Sequence, residues 1–214
     1  KYPHDEFPYR RLVEENRNRQ RSQPEFDLID TGIFDDHRYF DVFVEYAKAS
    51  TDDLLIKITV HNRGPEQASL HLIPQIWFRN TWAWGYHAYK PGMFRDTDGV
   101  IKIDDKRLGH YYLCADQNPD ILFCENETNT QRLHGYNTEG TFKDGINDFI
   151  VNGKEGALNR SPTGTKAGFH YNTTIPAGKS RSFRLRLLDR FSNDPFRDYD
   201  SIFSARKKEA DEFY

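Results

Sequence analysis

Hydrophobic and polar positions alternate with a period of two along most of the chain from about residue 25 onward, the mark of extended strands. Over 38–48 the alternation puts Phe40, Val42, Val44 and Tyr46 on one face, and Tyr39, Phe43 and Ala47 on the other with Asp41 and Glu45. Both faces are therefore expected to meet protein. Over 54–62, Leu54, Ile56, Ile58 and Val60 point inward and Leu55, Lys57, Thr59 and His61 outward, a half-buried strand. Arg63-Gly-Pro-Glu66 reads as a turn, and 68–78 as the returning strand, interrupted at Pro74 because proline has no N–H to give a ladder. Further strands are predicted over 99–104, 110–115, 121–127, 130–133, 166–175 and 181–188. A compact Pro176-Ala-Gly-Lys179 turn joins the last two.

Helical spacing is clearest at the two ends. Phe7, Arg11, Leu12 and Glu15 fit a short amphipathic helix between 5 and 20, with Pro8 in its first turn and Pro24 closing the segment. Asp200 is expected to cap a helix beginning at Ser201, with Ile202, Phe203, Ala205, Ala210 and Phe213 as its apolar positions. That helix reaches Tyr214 without a terminator, so the chain is expected to continue into another domain. Two long connections stand out. The stretch 81–97 is an aromatic-rich excursion from the sheet. The stretch 136–165, dense in glycine, reads as an ordered loop with a short helix around Asn147.

Strand runs at short spacings with no long helices between them argue for a mainly β fold: a large antiparallel β-sandwich of about ten or more strands, with short peripheral helices. The expected organisation is a helical or extended segment over 1–24, the sandwich over 25–198, and the start of a connector helix over 199–214.

Composition refines this picture. The 16 Phe, 12 Tyr and 3 Trp in 214 residues supply large buried areas. They offset a low hydrophobic share of 36% against 29% charged residues. A net charge of −3 and scattered Lys and Arg exclude a phosphate-tracking stripe, and Glu14 and Glu15 break the one basic run at 10–21, so no nucleic-acid partner is expected. No apolar run is long enough for a membrane-spanning helix, and no signal-peptide pattern is present. A cytoplasmic, reducing setting is the default expectation. Cys114 and Cys124 flank Asp116-Gln-Asn-Pro-Asp120 and could face each other across a hairpin, although free buried thiols are the plainer reading.

Phe78-Arg-Asn-Thr-Trp-Ala-Trp-Gly85 is the segment richest in chemistry. Trp82 and Trp84 can stack on the apolar faces of sugars while Arg79 and Asn80 donate to hydroxyls; the competing explanation is an aromatic lid or a buried inter-domain contact. A further polar set comprises Asp35, Asp36, Glu125, Glu127, Asp144, Asn147 and Asp148. Asp35 and Asp36, beside Asp30 and His37, resemble an acid/base cluster, but neighbours in sequence do not give the separation of about 6.5–9.5 Å that inverting glycoside hydrolysis needs, and turn formation is their ordinary role. Glu125-Asn-Glu-Thr-Asn129 and Lys143-Asp-Gly-Ile-Asn-Asp148 lack the ligand spacing of a calcium loop. The histidines are scattered and no nucleophile elbow occurs, so no metal, no cofactor and no catalytic residue is assigned. Asn172-Thr-Thr174 matches a glycosylation acceptor, a pattern common by chance.

The stretch from Thr31 to Lys48 (TGIFDDHRYFDVFVEYAK), with ITVHNRGP ending at Pro65 and WFRNTWAW ending at Trp84, resembles the N-terminal region of bacterial glucosidase-like proteins. These are grouped with glycoside hydrolase family 63 and the mannosyl-oligosaccharide glucosidases. TNTQR at 128–132, KDGIND at 143–148, TGTK at 163–166 and FSARKKEADEF at 203–213 carry the same resemblance through nearly the whole chain. It implies a supersandwich-like domain preceding an (α/α)6 barrel that holds the inverting acid and base. None of the family's catalytic residues has a position in this chain. The implied partner is that barrel, the implied substrate an α-glucoside or related α-linked oligosaccharide, and the implied setting a bacterial cytoplasm. Arg79, Asn80, Trp82 and Trp84 would then touch substrate or barrel loops. Two other readings stay open: a self-sufficient carbohydrate-binding module, and a structural or protein-interaction domain.

Overall fold

A computed structural model describes all 214 residues. In chain order the elements are β1 (Tyr2–Pro3), α1 (Tyr9–Asn18), β2 (Tyr39–Ser50), β3 (Asp53–Asn62), β4 (Ala68–Leu72), β5 (Gln75–Trp77), β6 (Gly92–Thr97), β7 (Val100–Asp105), β8 (Gly109–Ala115), β9 (Asp120–Cys124), α2 (Thr130–His134), α3 (Gly145–Asn152), β10 (Thr163–Gly164), β11 (Lys166–Ile175), β12 (Ser180–Leu188) and α4 (Tyr199–Phe213). One sheet has the strand order β1-β2-β3-β12-β8-β7-β6-β10. The other runs β4-β11-β5, with β9 also paired to β11. The fold is mainly β, antiparallel and sandwich-like with short peripheral helices, as the alternation predicted.

The residues group into two compact units: Lys1–Val44, Ile58–Leu70 and Thr173–Ser182 in the first, and Glu45–Lys57, His71–Asn172 and Phe183–Tyr214 in the second. In the first unit Asn62, 1% exposed, organises the turn after β3. Its amide donates to the carbonyls of Glu66 (2.7 Å) and Ile175 (2.9 Å), and its Oδ1 accepts from Gly64 N–H at 2.9 Å. A Cβ on Gly64 would sit 2.6 Å from the His4 ring, so any larger residue there would require that ring to shift. Helix α1 buries none of its residues. It is tied down through Asn16, whose side chain exchanges hydrogen bonds of 3.0 and 2.8 Å with the backbone of Phe26.

The second unit holds most of the core. Met93 faces Ile103 between β6 and β7, and Ile101 faces Leu113 between β7 and β8, all buried. Ala167 of β11 faces Phe123 of β9. Leu122, Cys124 and Ile146 form a second apolar cluster under α3.

Helix α4 explains three departures from the sequence reading. It begins at Tyr199, behind an N-cap at Asp198, two residues before the expected start. Tyr199 is fully buried, packs with Ala47 and Leu55, and donates from its hydroxyl to the Ile56 carbonyl at 2.5 Å. Leu55, expected to point outward, is therefore fully buried, because α4 covers that side of β3. Cover stops short over β2: Phe43, Val44 and Tyr46, all expected to meet protein, are exposed.

Two further expectations change. Residues 130–133 form helix α2 and not a strand, because Asn129 caps it by accepting from Arg132 N–H at 3.0 Å and Gly135 closes it in the left-handed region. The excursion 81–97 turns back into the sheet as β6.

Arg186 of β12 fixes the start of α4 against the strands. Its guanidinium donates to both oxygens of Asp53 at 2.8 and 2.7 Å, and to Asp198 at 2.5 Å and the Pro195 carbonyl at 2.8 Å. The Arg186 and Asp53 side chains are 7% and 10% exposed, so removing one partner strands a buried charge. We expect Arg186→Ala to lower unfolding stability by about 3–5 kcal/mol. Asp198→Ala, at a half-exposed carboxylate, is expected to cost much less; urea titrations followed by far-UV circular dichroism compare the two.

Candidate functional site

The aromatic segment leaves β5 and is held from behind by two asparagines. Asn126 donates to the Phe78 carbonyl at 2.7 Å, and Asn80 donates to the Asn126 carbonyl at 3.0 Å. Asn80 Oδ1 accepts from Ala83 N–H at 3.0 Å. The Asn80 side chain thus clamps the loop to the end of β9, and both its ends are engaged within the protein. Residues 82–84 form a single 3-10 turn closed by Gly85 at φ +79°.

Glu125 and Glu127 follow β9 two residues apart, which places them on one side of an extended segment. Lys90 reaches both, at 2.8 Å from Glu125 Oε2 and 2.9 Å from Glu127 Oε1. The Trp82 indole N–H also donates to Glu127 Oε1, at 3.0 Å. Glu125 accepts further bonds from Asn159 (3.0 Å) and Thr165 (2.8 Å), and Asn159 in turn accepts from Thr141. The chain Trp82–Glu127–Lys90–Glu125–Asn159 is one connected polar network. Glu125 also lines an open cleft of about 560 Å³ together with Thr141, Asn159, Arg160 and Ser161.

The two indoles are not equivalent. Trp82 is half-buried, and Lys90 Nζ lies 5.6 Å over its ring. Trp84 is 51% exposed, meets Tyr86 edge-on, and carries the Arg79 guanidinium 4.9 Å from its ring centre.

Electrostatics favour the ionised form of Glu125 and Asp148. Burial raises the Glu125 carboxyl, but hydrogen bonds from Lys90, Thr165 and Asn159 outweigh it and bring it below its ordinary value. Lys90 is the mirror case: burial lowers it, and the two glutamates raise it by more. Asp148 behaves like Glu125. Burial raises it, and Arg132, Asn152 and Lys154 bring it down further than that. Neither the Glu125 nor the Asp148 carboxyl is held protonated near neutrality, as a general acid would have to be.

The remaining candidates take other roles. Asp144 and Asp148 are bridged by Arg132, which links α2 to α3, and Asn129 adds a bond to Asp144 at 3.2 Å. Asn147 is exposed on α3 and outside that network. Asp35 and Asp36 belong to the first unit, in a 3-10 turn where Asp36 has φ +53° and lies 3.9 Å from Arg38. Cys114 and Cys124 are free and buried, and burial pushes each thiol up to about 11. Sequence reasoning missed Lys90, Asn159 and Thr165. The spacing of Glu125 and Glu127 was the one available hint that a shared cation should be sought.

These features belong to a mainly β, antiparallel sandwich-like protein with a polar network at one loop cluster. No family model matches the chain. It is similar to the uncharacterized protein YMR196W of Saccharomyces cerevisiae, at 30% identity over 262 residues. That match takes in 100% of this chain and 24% of the yeast protein, so the chain spans about a quarter of its relative's length. A solved polysaccharide lyase overlays 74% of this chain and 21% of its own, at 14% identity and a TM-score of 0.42, a likeness too slight to support any conclusion.

A lowered carboxyl contributes stability above its unfolded value, about 4.3 for Glu, and loses it as pH falls through the folded value. Glu125→Gln is therefore expected to cost about 1–3 kcal/mol at pH 7, and the gap from the unaltered protein should close as pH falls well below 4. Thermal unfolding scans at stepped pH check this. Both cysteines should also stay unmodified by a thiol reagent at pH 8 until denaturant is added, with mass spectrometry as the readout.

Proposed function

We propose that this chain is a non-catalytic sandwich domain that walls and supports the saccharide cleft of a glycoside hydrolase, with Arg79, Trp82 and Trp84 at the cleft and proton transfer supplied by a separate helical barrel. The observation that carries the reading is the Trp82–Trp84 turn. It is anchored from behind by Asn80 and Asn126, pinned through Trp82 to Glu127, and presents Trp84 to solvent under a stacked arginine. A positioned aromatic surface beside polar groups is what sugar rings engage. The motifs that resemble those of the glucosidase-like proteins run through the same turn, and that resemblance points to an α-linked glucoside or a related saccharide.

The electrostatics speak against Glu125 and Asp148 as general acids, because both carboxyls are held in the ionised form, and Glu127 is tied to Lys90. The division of labour is physically reasonable: the barrel moves the proton, and the sandwich narrows the cleft and limits water around the leaving group. One geometric fact weighs against a free-standing two-indole platform. Each indole carries a cation over its ring, Lys90 at Trp82 and Arg79 at Trp84, and only Trp84 is exposed.

The 214-residue chain is expected to show no hydrolysis of maltooligosaccharides or aryl α-glucosides, while calorimetric titration with maltoheptaose gives weak binding that Trp84→Ala reduces at least tenfold. Turnover by the chain alone, or binding indifferent to Trp84, would overturn the reading.

A further inference from the structure

A second cleft, of about 540 Å³, opens beside the aromatic turn and shares Arg79 with it. Its lining carries three cations, Arg79, Lys106 and Arg107, against one carboxylate, Asp105, together with His87 and Tyr89. None of the three cations is among the ion pairs of this unit, such as those of Lys90, Arg95, Arg132 and Lys154. Some other cations of this unit, such as Lys90, Arg132, Arg184 and Arg186, are matched with carboxylates, whereas these three stay available to an incoming anion.

The lone carboxylate is already committed. Asp105 Oδ1 accepts the N–H groups of Arg107 (2.8 Å) and Leu108 (2.9 Å), which fixes the turn between β7 and β8 and sets Lys106 and Arg107 at its tip. Tyr89 Oη accepts from Lys106 N–H at 2.7 Å, and the Lys106 ammonium lies 4.6 Å from the centre of the Tyr89 ring. Arg79 is held in the same way by Trp84. Two of the cations are therefore stacked on aromatic rings before any ligand arrives, which lowers the entropy lost on binding. His87 Nδ1 is buried and has no hydrogen-bond partner within the protein, leaving a polar atom unsatisfied at the same cleft.

We infer that this cleft binds the anionic group of an acidic sugar, a carboxylate or a phosphate, with Arg79, Lys106 and Arg107 as its counter-charges and Tyr89 against the ring. The inference rests on reading the Trp82–Trp84 turn as saccharide-contacting, and it adds the ligand's charge. Guanidinium groups meet carboxylate and phosphate oxygens through paired N–H donors, and the cleft volume falls within the range of about 300–1,000 Å³ typical of small-molecule sites. Three cations in one cleft match a single anionic group and not a polymer backbone.

The test is calorimetric titration of the chain at low salt with glucuronate, glucose 6-phosphate, inorganic phosphate and glucose, repeated on Lys106→Ala/Arg107→Ala and on Arg79→Ala. At least one acidic sugar should bind tenfold or more tightly than glucose, weaken in 0.5 M salt, and lose at least tenfold in affinity in the double variant, whose far-UV circular dichroism should match that of the parent. Four results would overturn the inference: no binding of either acidic sugar, affinity equal to that of glucose, affinity for phosphate equal to that for glucose 6-phosphate, or binding unchanged in the double variant. The two readings fail separately. Maltoheptaose binding without acidic-sugar binding sinks this inference alone, and acidic-sugar binding without maltoheptaose binding sinks only the α-glucoside reading.

Discussion

One buried guanidinium governs the larger unit. Arg186 sits among apolar strands, and its charge is tolerable only because Asp53 takes two of its N–H groups while Asp198 and the Pro195 carbonyl take others. Those partners come from β3 and from the segment leading into α4. Satisfying one arginine therefore sets where that helix begins and how deep Tyr199 goes. Tyr199 in turn seals Ala47 and Leu55. Specificity comes from the directional bonds, and the apolar contacts that follow supply most of the favourable free energy.

A similar design recurs at smaller scale around Glu125. A partly buried carboxylate collects an ammonium, an amide and a hydroxyl from three separate stretches of chain, and its neighbour two residues on pins an indole. The aromatic turn is placed by polar bonds at its base. Its outer surface is thereby left free, the arrangement a loop needs if it is to meet something outside the protein.

The strands were largely legible from the sequence because a period of two is a local signal, and β3, β7, β8, β11 and β12 lie close to where the alternation put them. Errors fell where a distant segment overrode the local pattern. Leu55 alternates as an outward residue, yet α4 covers it from about 145 positions away. Residues 130–133 could pass for a strand until Asn129 and Gly135 are recognised as the two ends of a helix. At the site, Trp82, Trp84, Arg79, Glu125 and Glu127 stood out by residue type. Lys90 and Asn159 did not, since each meets Glu125 only after β9 pairs with β11 and the intervening loops fold back. Asn80 was legible as polar but not as a clamp, a role that depends on the position of the Asn126 carbonyl.

The crowding of Trp77, Trp82 and Trp84 into eight residues has a practical consequence, because these are the only tryptophans in the chain. Indole fluorescence from this protein reports on a single loop and its root strand, and is blind to the rest of the sandwich. A melting curve drawn from emission alone would describe the detachment of that loop. Comparing it with a signal from the whole backbone would reveal whether the loop opens before the sheets come apart.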